Sequence, residues 1–346
     1  MRPVAPLTSP RRRKLALGAL ACVLLPRAVQ ARDAGLSPLQ RSAAVLMGTQ
    51  VDIVAVHADA AQRARALDAA WAEMLRLSEM MSRYRSASQV SLLAQAAGGA
   101  PLPVAPELMA VLQQAQDLAR RSGGRFDATV GAYADWHFEP GQPARLPDAA
   151  TLARQHVLVG AHGLQLDVPR GTARLARPGM RLDLGGIAKL PILQAGLRTL
   201  AQHGVHDALI NGGGDVLCSG SLQGRPWRIG LRDPRAPQRL LGVLALRGGV
   251  VAASGDYERG FDHAGRRYHH ILDPRNGQPS EGLRGLALVS ADVEAVNGWG
   301  AAMMVAGADR SRRWLREQLP GVEAMLAGPD GVWLTAGLQA RLMASA

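Results

Sequence analysis

The densest chemistry in this 346-residue chain lies at 254–277, SGDYERGFDHAGRRYHHILDPRNG. Two adjacent histidines run into an Asp-Pro-Arg-Asn-Gly turn, and a purely structural hairpin has little use for so many ionisable groups. His270 and Asp273 stand three residues apart across that turn. Such a pair can place a proton acceptor and a donor beside a reacting phosphate or hydroxyl. Neighbouring strand residues face opposite sides, so only one of the two histidines can meet a site. His270 is the expected one. Asn276-Gly277 is a turn signal.

RLDLGGIAK (181–189) reads as a strand running into a helix. Gly185 and Gly186 would let backbone approach a ligand, and a helix opening offers unpaired N–H groups to an anion. Asp183 at the strand end and Lys189 one turn into the helix would flank that anion. The structural alternative is a tight strand-to-helix turn. Lys and Arg together number 40, yet only Lys14 and Lys189 are lysines. A chain that uses arginine for nearly every cation keeps lysine at 189, which points to a need for a compact ammonium. The three asparagines, at 211, 276 and 297, also fall in chemistry-bearing stretches. NGGGD (211–215) can form a backbone nest for an anion. In FDATVG (126–131), Phe126 could contact a planar ligand ring while Asp127 and Thr129 bond its polar edge. The alternative there is a core aromatic followed by a helix cap.

These groups need elements to hold them. Valine-rich alternation predicts a strand over 45–57. A helical stripe of Trp71, Met74, Leu75, Leu77 and Met81 predicts a helix over 59–82. Further helices are expected at 88–96, 106–121, 186–203, 292–306 and 309–318. Short strands are expected at 157–159, 164–168, 173–176, 207–211, 214–218, 226–231, 242–247, 250–254, 268–272, 284–290, 322–327 and 331–335. Helices and strands mix without a strict βαβ repeat, so the fold class is α+β: one large domain with a mixed sheet and flanking helices. The loop at 137–150 is not read as a domain boundary.

The formal charge is +12. Arg2, Arg11, Arg12, Arg13, Lys14 and Arg27 carry half of it within residues 1–31, which hold no acid. The remainder is too diffuse for a nucleic-acid footprint, and no basic stripe is interleaved with aromatics. SPRRRK followed by the apolar run LALGALACVLL, with VQA ahead of Arg32, predicts an export signal over 1–31, twin-arginine-like in its consecutive arginines, with a general secretory signal as the alternative. The run is too short for a permanent membrane span. A periplasmic protein over 32–346 is therefore expected, membrane-associated only if Cys22 is lipidated. Cys218 would be the single thiol left, in the apolar context DVLCSG, and reads as a buried small residue.

Taken in order, these motifs resemble one family closely, the ApbE-type flavin transferases. The matching positions are Met47-Gly48-Thr49, Ser82-Arg83-Tyr84, Phe126-Asp127, Asp183 to Lys189, Gly213-Gly214-Asp215, Ser254 to Glu258 and His269 to Gly277. The resemblance covers roughly 45–307. It implies a T-fold-like domain and an activity that moves FMN from FAD onto a Ser or Thr hydroxyl of a target flavoprotein, releasing AMP. It implies a flavin site lined by Met47, Tyr84, Phe126, Asp127, Asp183, Lys189 and Ile271. It also implies a magnesium ion at Gly186 and the positions of Asn297 and Ala301, where the family carries Asp and Thr. Asparagine can give magnesium a neutral carbonyl oxygen; alanine gives nothing. Leu190-Pro191 replaces the family's Gly-Tyr, and Asn276 its usual Thr. These departures leave a second implied reading: an exported flavin-binding accessory protein with weak transfer, comparable to members that accompany nitrous oxide reductase maturation.

Overall fold

Apart from Asp52, residues 51–56 are valine, isoleucine and alanine, and their side chains divide between two cores. Val51, Ile53 and Ala55 join one, while Val54 joins the other. The same division recurs at Leu209 and Ile210, at Val216 and Leu217, and at Leu286 to Val289. A strand buried on both faces has this composition, and it makes these segments the centre of a sheet covered on both sides. The computed structural model describes residues 38–138, 143–257 and 259–344. The expected export segment 1–31 lies outside them.

The strands are β1 Leu39–Leu46, β2 Thr49–Val56, β3 Leu102–Pro103, β4 Leu164–Asp167, β5 Thr172–Leu175, β6 Asp207–Gly212, β7 Asp215–Ser219, β8 Trp227–Asp233, β9 Ala236–Leu246, β10 Gly248–Gly255, β11 Gly260–His263, β12 Arg266–His269, β13 Gly285–Ser290, β14 Glu323–Gly328 and β15 Gly331–Leu334. The helices are α1 Ala60–Met81, α2 Gln89–Gln95, α3 Pro106–Arg121, α4 Ala149–His156, α5 Lys189–Gln202, α6 Val293–Val296, α7 Trp299–Ala306, α8 Ala308–Glu317 and α9 Ala336–Arg341. Eight strands form the main sheet in the order β1-β2-β6-β7-β10-β13-β14-β15. The class is α+β as expected. The sheet, expected as mixed, is antiparallel at every described pairing.

Helices α1, α5 and α7 cover one face. The β8–β9 ribbon and Leu338 of α9 cover the other. Helix α5 lies close on α1: a Cβ on Gly196 would fall 2.6 Å from the Met74 sulfur. Cys218 is buried on the ribbon side, and lost hydration pushes its thiol up to about 12, in line with the reading of an inert small residue. No helix among the described residues is long and apolar enough to cross a membrane.

Four sequence expectations change. The single strand at 45–57 is a hairpin, reversing at Met47 and Gly48 with φ of 54° and 71°. Two-residue hairpins use that left-handed backbone because it matches the strand twist. The helix expected at 186–203 begins at Lys189, after a short run of turns. Lys189 is therefore its first residue and not one turn inside it. The helix expected at 292–306 breaks at Asn297-Gly298, where Gly298 takes φ 75°. The segment 157–159 is a turn and not a strand.

Candidate active site

The Gly-rich turns gather at one end of the main sheet. Gly213, in the β6–β7 turn, lies against the Thr49 side chain and donates its N–H to the Gln50 carbonyl at 3.1 Å. Asn211 Oδ1 accepts the Gly214 N–H at 3.1 Å and closes that turn. Asp215 follows, buried, with one oxygen accepting the Ala253 N–H at 2.8 Å. Its other oxygen meets Lys189 Nζ at 2.7 Å. The lysine that composition singles out thus ties the opening of α5 to the root of β7. A compact ammonium suits a buried carboxylate hemmed in by backbone.

Asp183 is partly exposed. Its Oδ1 accepts the Gly185 N–H at 2.8 Å, and its Oδ2 meets Arg83 Nη1 at 2.9 Å. Arg83 stacks over the Tyr84 ring at 4.9 Å, and Tyr84 is largely exposed. Gly186 has protein on both sides: a Cβ there would sit 3.2 Å from Ala301 Cβ and 3.4 Å from Phe126 Cε2. The structure therefore brings together Gly186, Phe126 and Ala301, three residues far apart in sequence. Met47 and Ile271 are partly buried against the same core.

The 126–129 segment follows the structural alternative more than the ligand one. Phe126 is buried in the core. Asp127 caps a 3-10 turn, accepting from the Thr129 N–H at 2.8 Å and from the Thr129 hydroxyl at 2.7 Å. Thr129 is fully buried, and its oxygen also accepts the Gly160 N–H at 2.7 Å. Expected at the polar edge of a flavin, Thr129 instead lies beneath the surface with its hydroxyl committed.

The two histidines face apart, as strand alternation requires. His269 is buried. Its Nε2–H donates to the Ser280 carbonyl at 2.9 Å, and its Nδ1 accepts from the Ile271 N–H at 3.4 Å. His270 has a solvent-exposed edge and carries the opposite tautomer. Its Nδ1 lies 3.3 Å from the Arg259 carbonyl, an acceptor, so Nδ1 holds the proton and Nε2 keeps its lone pair. Crowding by protein, then the Arg259 charge, push the His270 pKa down to about 4, with the hydrogen bond to the Arg259 carbonyl and then Asp183 opposing. Water at the exposed edge weakens that shift. The imidazole is neutral near pH 7.

Asp273 does not meet His270. Arg275 takes its carboxylate with Nε at 2.9 Å and Nη2 at 2.6 Å, and the Arg275 N–H adds a third bond at 2.9 Å. The Asp273 carbonyl accepts from Asn276 and Gly277. Asp273 thus builds the turn and is committed to a guanidinium. Two aromatics hold the turn from below. Tyr133 Oη donates to the Pro274 carbonyl at 3.0 Å, and Trp136 Nε1 to the Gly277 carbonyl at 2.8 Å. Burial pushes the Tyr133 phenol up, so it stays a donor. Trp136 continues into a stack with Phe138, Phe261 and Tyr268, which seats the β11–β12 ribbon.

The implied magnesium finds a partial fit. Asn297 is buried. Its Nδ2 donates to Gln114 Oε1 at 2.9 Å, while its Oδ1 is buried without a partner. An orphaned carbonyl oxygen is a donor that a hard cation accepts. The adjoining Gly298 packs on Ile187, next to Gly186. Ala301 offers no donor. Among the described residues no group of three or more His, Cys, Asp or Glu side chains is arranged to hold a metal. A cation here would take neutral protein oxygens and would need its anionic ligands from substrate.

Sequence reasoning missed Arg83, Arg259, Gln114 and the pairing of Asp215 with Lys189. Arg83 sits inside a motif already marked, beside Tyr84. Arg259 also sits inside a marked stretch, 254–277, but does not stand out in a chain this rich in arginine, and Gln114 gave no signal at all.

The comparisons bear on the family and the fold. The family model described as the ApbE family matches residues 47–326. An FAD:protein FMN transferase of Rhodobacter capsulatus is 35% identical over 73% of this chain and 49% of its own length. The chain thus spans about half of that relative. One from Treponema pallidum is 34% identical over 74% of this chain and 75% of its own. The solved ApbE protein of Thermotoga maritima superposes with a TM-score of 0.80 at 26% identity, covering 88% of this chain and 99% of that one. With the family model matched over most of the chain and two relatives above 30% identity, this chain belongs to the ApbE family, the family of the FAD:protein FMN transferases.

Proposed function

We propose that this ApbE-family chain acts as an FAD:protein FMN transferase, with His270 as the general base. The observation that carries the assignment of the base is the placement of its ring: Nδ1 lies 3.3 Å from the Arg259 carbonyl, an acceptor, which leaves Nε2 as the basic nitrogen, and Asp183 acts on the ring's charge. The acceptor's Ser or Thr hydroxyl attacks the phosphorus of the FMN half of FAD. Its proton passes to His270 Nε2. The bond between that phosphorus and the bridging oxygen breaks, and AMP leaves with the electron pair. Gly185 and Gly186 give the diphosphate a close approach to backbone, and Lys189, held by Asp215, sets the cationic wall. Met47, Tyr84, Phe126 and Ile271 offer apolar and aromatic surface for the flavin, with Asp127 and Asp183 nearby. Asp273 supports His270 by fixing the turn that follows it. Magnesium, when bound, would neutralise the diphosphate charge, held by Asn297 Oδ1 and the Gly186 carbonyl.

Export to the periplasm is part of the proposal, supported by the basic cluster and apolar run of residues 1–31. The acceptor is then a flavoprotein of a membrane or periplasmic electron-transfer system. Asn297 and Ala301 favour one second reading, an accessory flavin carrier with slow transfer, of the kind that serves nitrous oxide reductase maturation.

The test is mature protein with FAD, magnesium and a Ser/Thr acceptor peptide, read by mass spectrometry. The acceptor should gain the mass of FMN. The single-turnover rate should hold through the ordinary imidazole range near 6.5 and fall only at lower pH, because His270 must be neutral to accept a proton and its pKa is shifted downward. His270→Asn should abolish that limb along with most of the rate. Tight flavin binding with no transfer to any acceptor would favour the carrier reading.

A further inference from the structure

Arg259 stands between two parts of the cleft. Its Nη2 reaches the carbonyls of Met47 and Gly48 at 3.4 and 3.5 Å. Its own carbonyl accepts the His270 N–H at 3.1 Å and faces the His270 Nδ1 at 3.3 Å. It packs so closely on the left-handed turn that a Cβ on Gly48 would fall 2.9 Å from Nη2. Among the described residues it has no carboxylate within ion-pair range. A guanidinium has five N–H donors. Two long bonds through one nitrogen leave most of them unspent, in a cleft where Lys189, Arg83 and Arg275 are each matched to an aspartate.

We propose that Arg259 is a binding and positioning residue for the donor's diphosphate, its guanidinium taking a phosphate oxygen while its backbone carbonyl keeps the His270 lone pair turned to the acceptor hydroxyl. The inference rests on the transferase reading and adds a contact to it. One residue thereby sets the distance between the attacked phosphorus and the base. The guanidinium charge also disfavours a protonated His270. The other charged or titratable groups acting on that ring are Asp183, which opposes, and His269, which assists. The downward shift of His270 agrees with this arrangement.

The experiment compares FAD with riboflavin, which has the same ring and no phosphate. Fluorescence titration of Arg259→Gln should show FAD binding weakened about tenfold to hundredfold, the loss of a hydrogen bond to a charged group. Riboflavin binding should change little. Arg259→Lys keeps the charge and should lose less. The acid limb of transfer in Arg259→Gln should move up toward the ordinary imidazole value. Equal weakening of both flavins would reveal only a prop for the Met47-Gly48 turn and overturn the proposal. So would a variant that matches the wild type in FAD affinity and pH profile while the wild type transfers FMN, an outcome that leaves the transferase reading standing. Failure of the wild type to bind FAD would remove both.

Discussion

A carboxamide in place of a carboxylate changes what position 297 can hold. Gln114 Oε1 accepts the Asn297 amide N–H, which turns the Asn297 oxygen away into a buried place without a partner. That oxygen can touch a cation and cannot neutralise it. Asn297→Asp combined with Ala301→Thr supplies a charge and a hydroxyl beside Gly186, and Gln114 can rotate its amide to donate. Affinity of the flavin-free protein for magnesium should rise about tenfold or more, since carboxylate charge tunes such sites. Isothermal titration reads this directly, without turnover, and an unchanged affinity would show that the Asn297 oxygen does not look toward a cation. Composition alone marked Lys189 and the three asparagines, because a rare residue in a biased chain has a reason to be there. It could not show that Lys189 meets Asp215, a pairing of residues in different elements that exists only once α5 lies against β7. Nor could it separate ligand from scaffold at Thr129, whose hydroxyl is spent on Asp127 and Gly160.

The turn after His270 shows how one element is aimed by others. Gly277 takes φ 71°, and a Cβ there would fall 2.5 Å from the Tyr133 ring. Gly277→Ala meets both penalties, a left-handed residue at about 1–2 kcal/mol and a collision with the aromatic that holds the Pro274 carbonyl. The thermal midpoint should fall, and transfer should slow more than FAD affinity weakens, because the turn fixes the end of the segment that carries His270. A matching loss of affinity would instead make the turn part of the flavin wall. Sequence patterns located the long helices well: 59–82, 88–96 and 106–121 differ from α1, α2 and α3 by a residue or so at the ends. They failed where local signals are weak. β1 is mostly exposed at the sheet edge, so it lacks the clean alternation that revealed β2. Its turn, Met47-Gly48, carries no Asn-Gly or Asp-Gly signature. The break at Gly298 was hidden by a run that stays apolar on both sides.

Across the whole molecule, the cleft joins pieces that share no local structure. The β1–β2 turn, the end of α1, the lead into α5, the β11–β12 ribbon and the α6–α7 break each contribute, from Met47 to Ala301. A ligand that touches several of them stabilises the fold as a unit, because it binds the native state and not the separated pieces. FAD at a hundred times its dissociation constant should add about 2.7 kcal/mol. For a chain of this size that raises the unfolding midpoint by about 4 °C. Amide exchange should slow together at 47–50, 183–189 and 259–271, which lie apart in sequence, while α9 on the opposite face of the sheet stays unchanged. Riboflavin should protect the 47–50 turn and leave 183–189 exchanging as before, since only the diphosphate reaches the glycines ahead of Lys189. Protection by FAD confined to one of these segments, or centred on the β8–β9 ribbon, would mean that the flavin lies elsewhere and that the gathering of the Gly-rich turns serves only to close the end of the sheet.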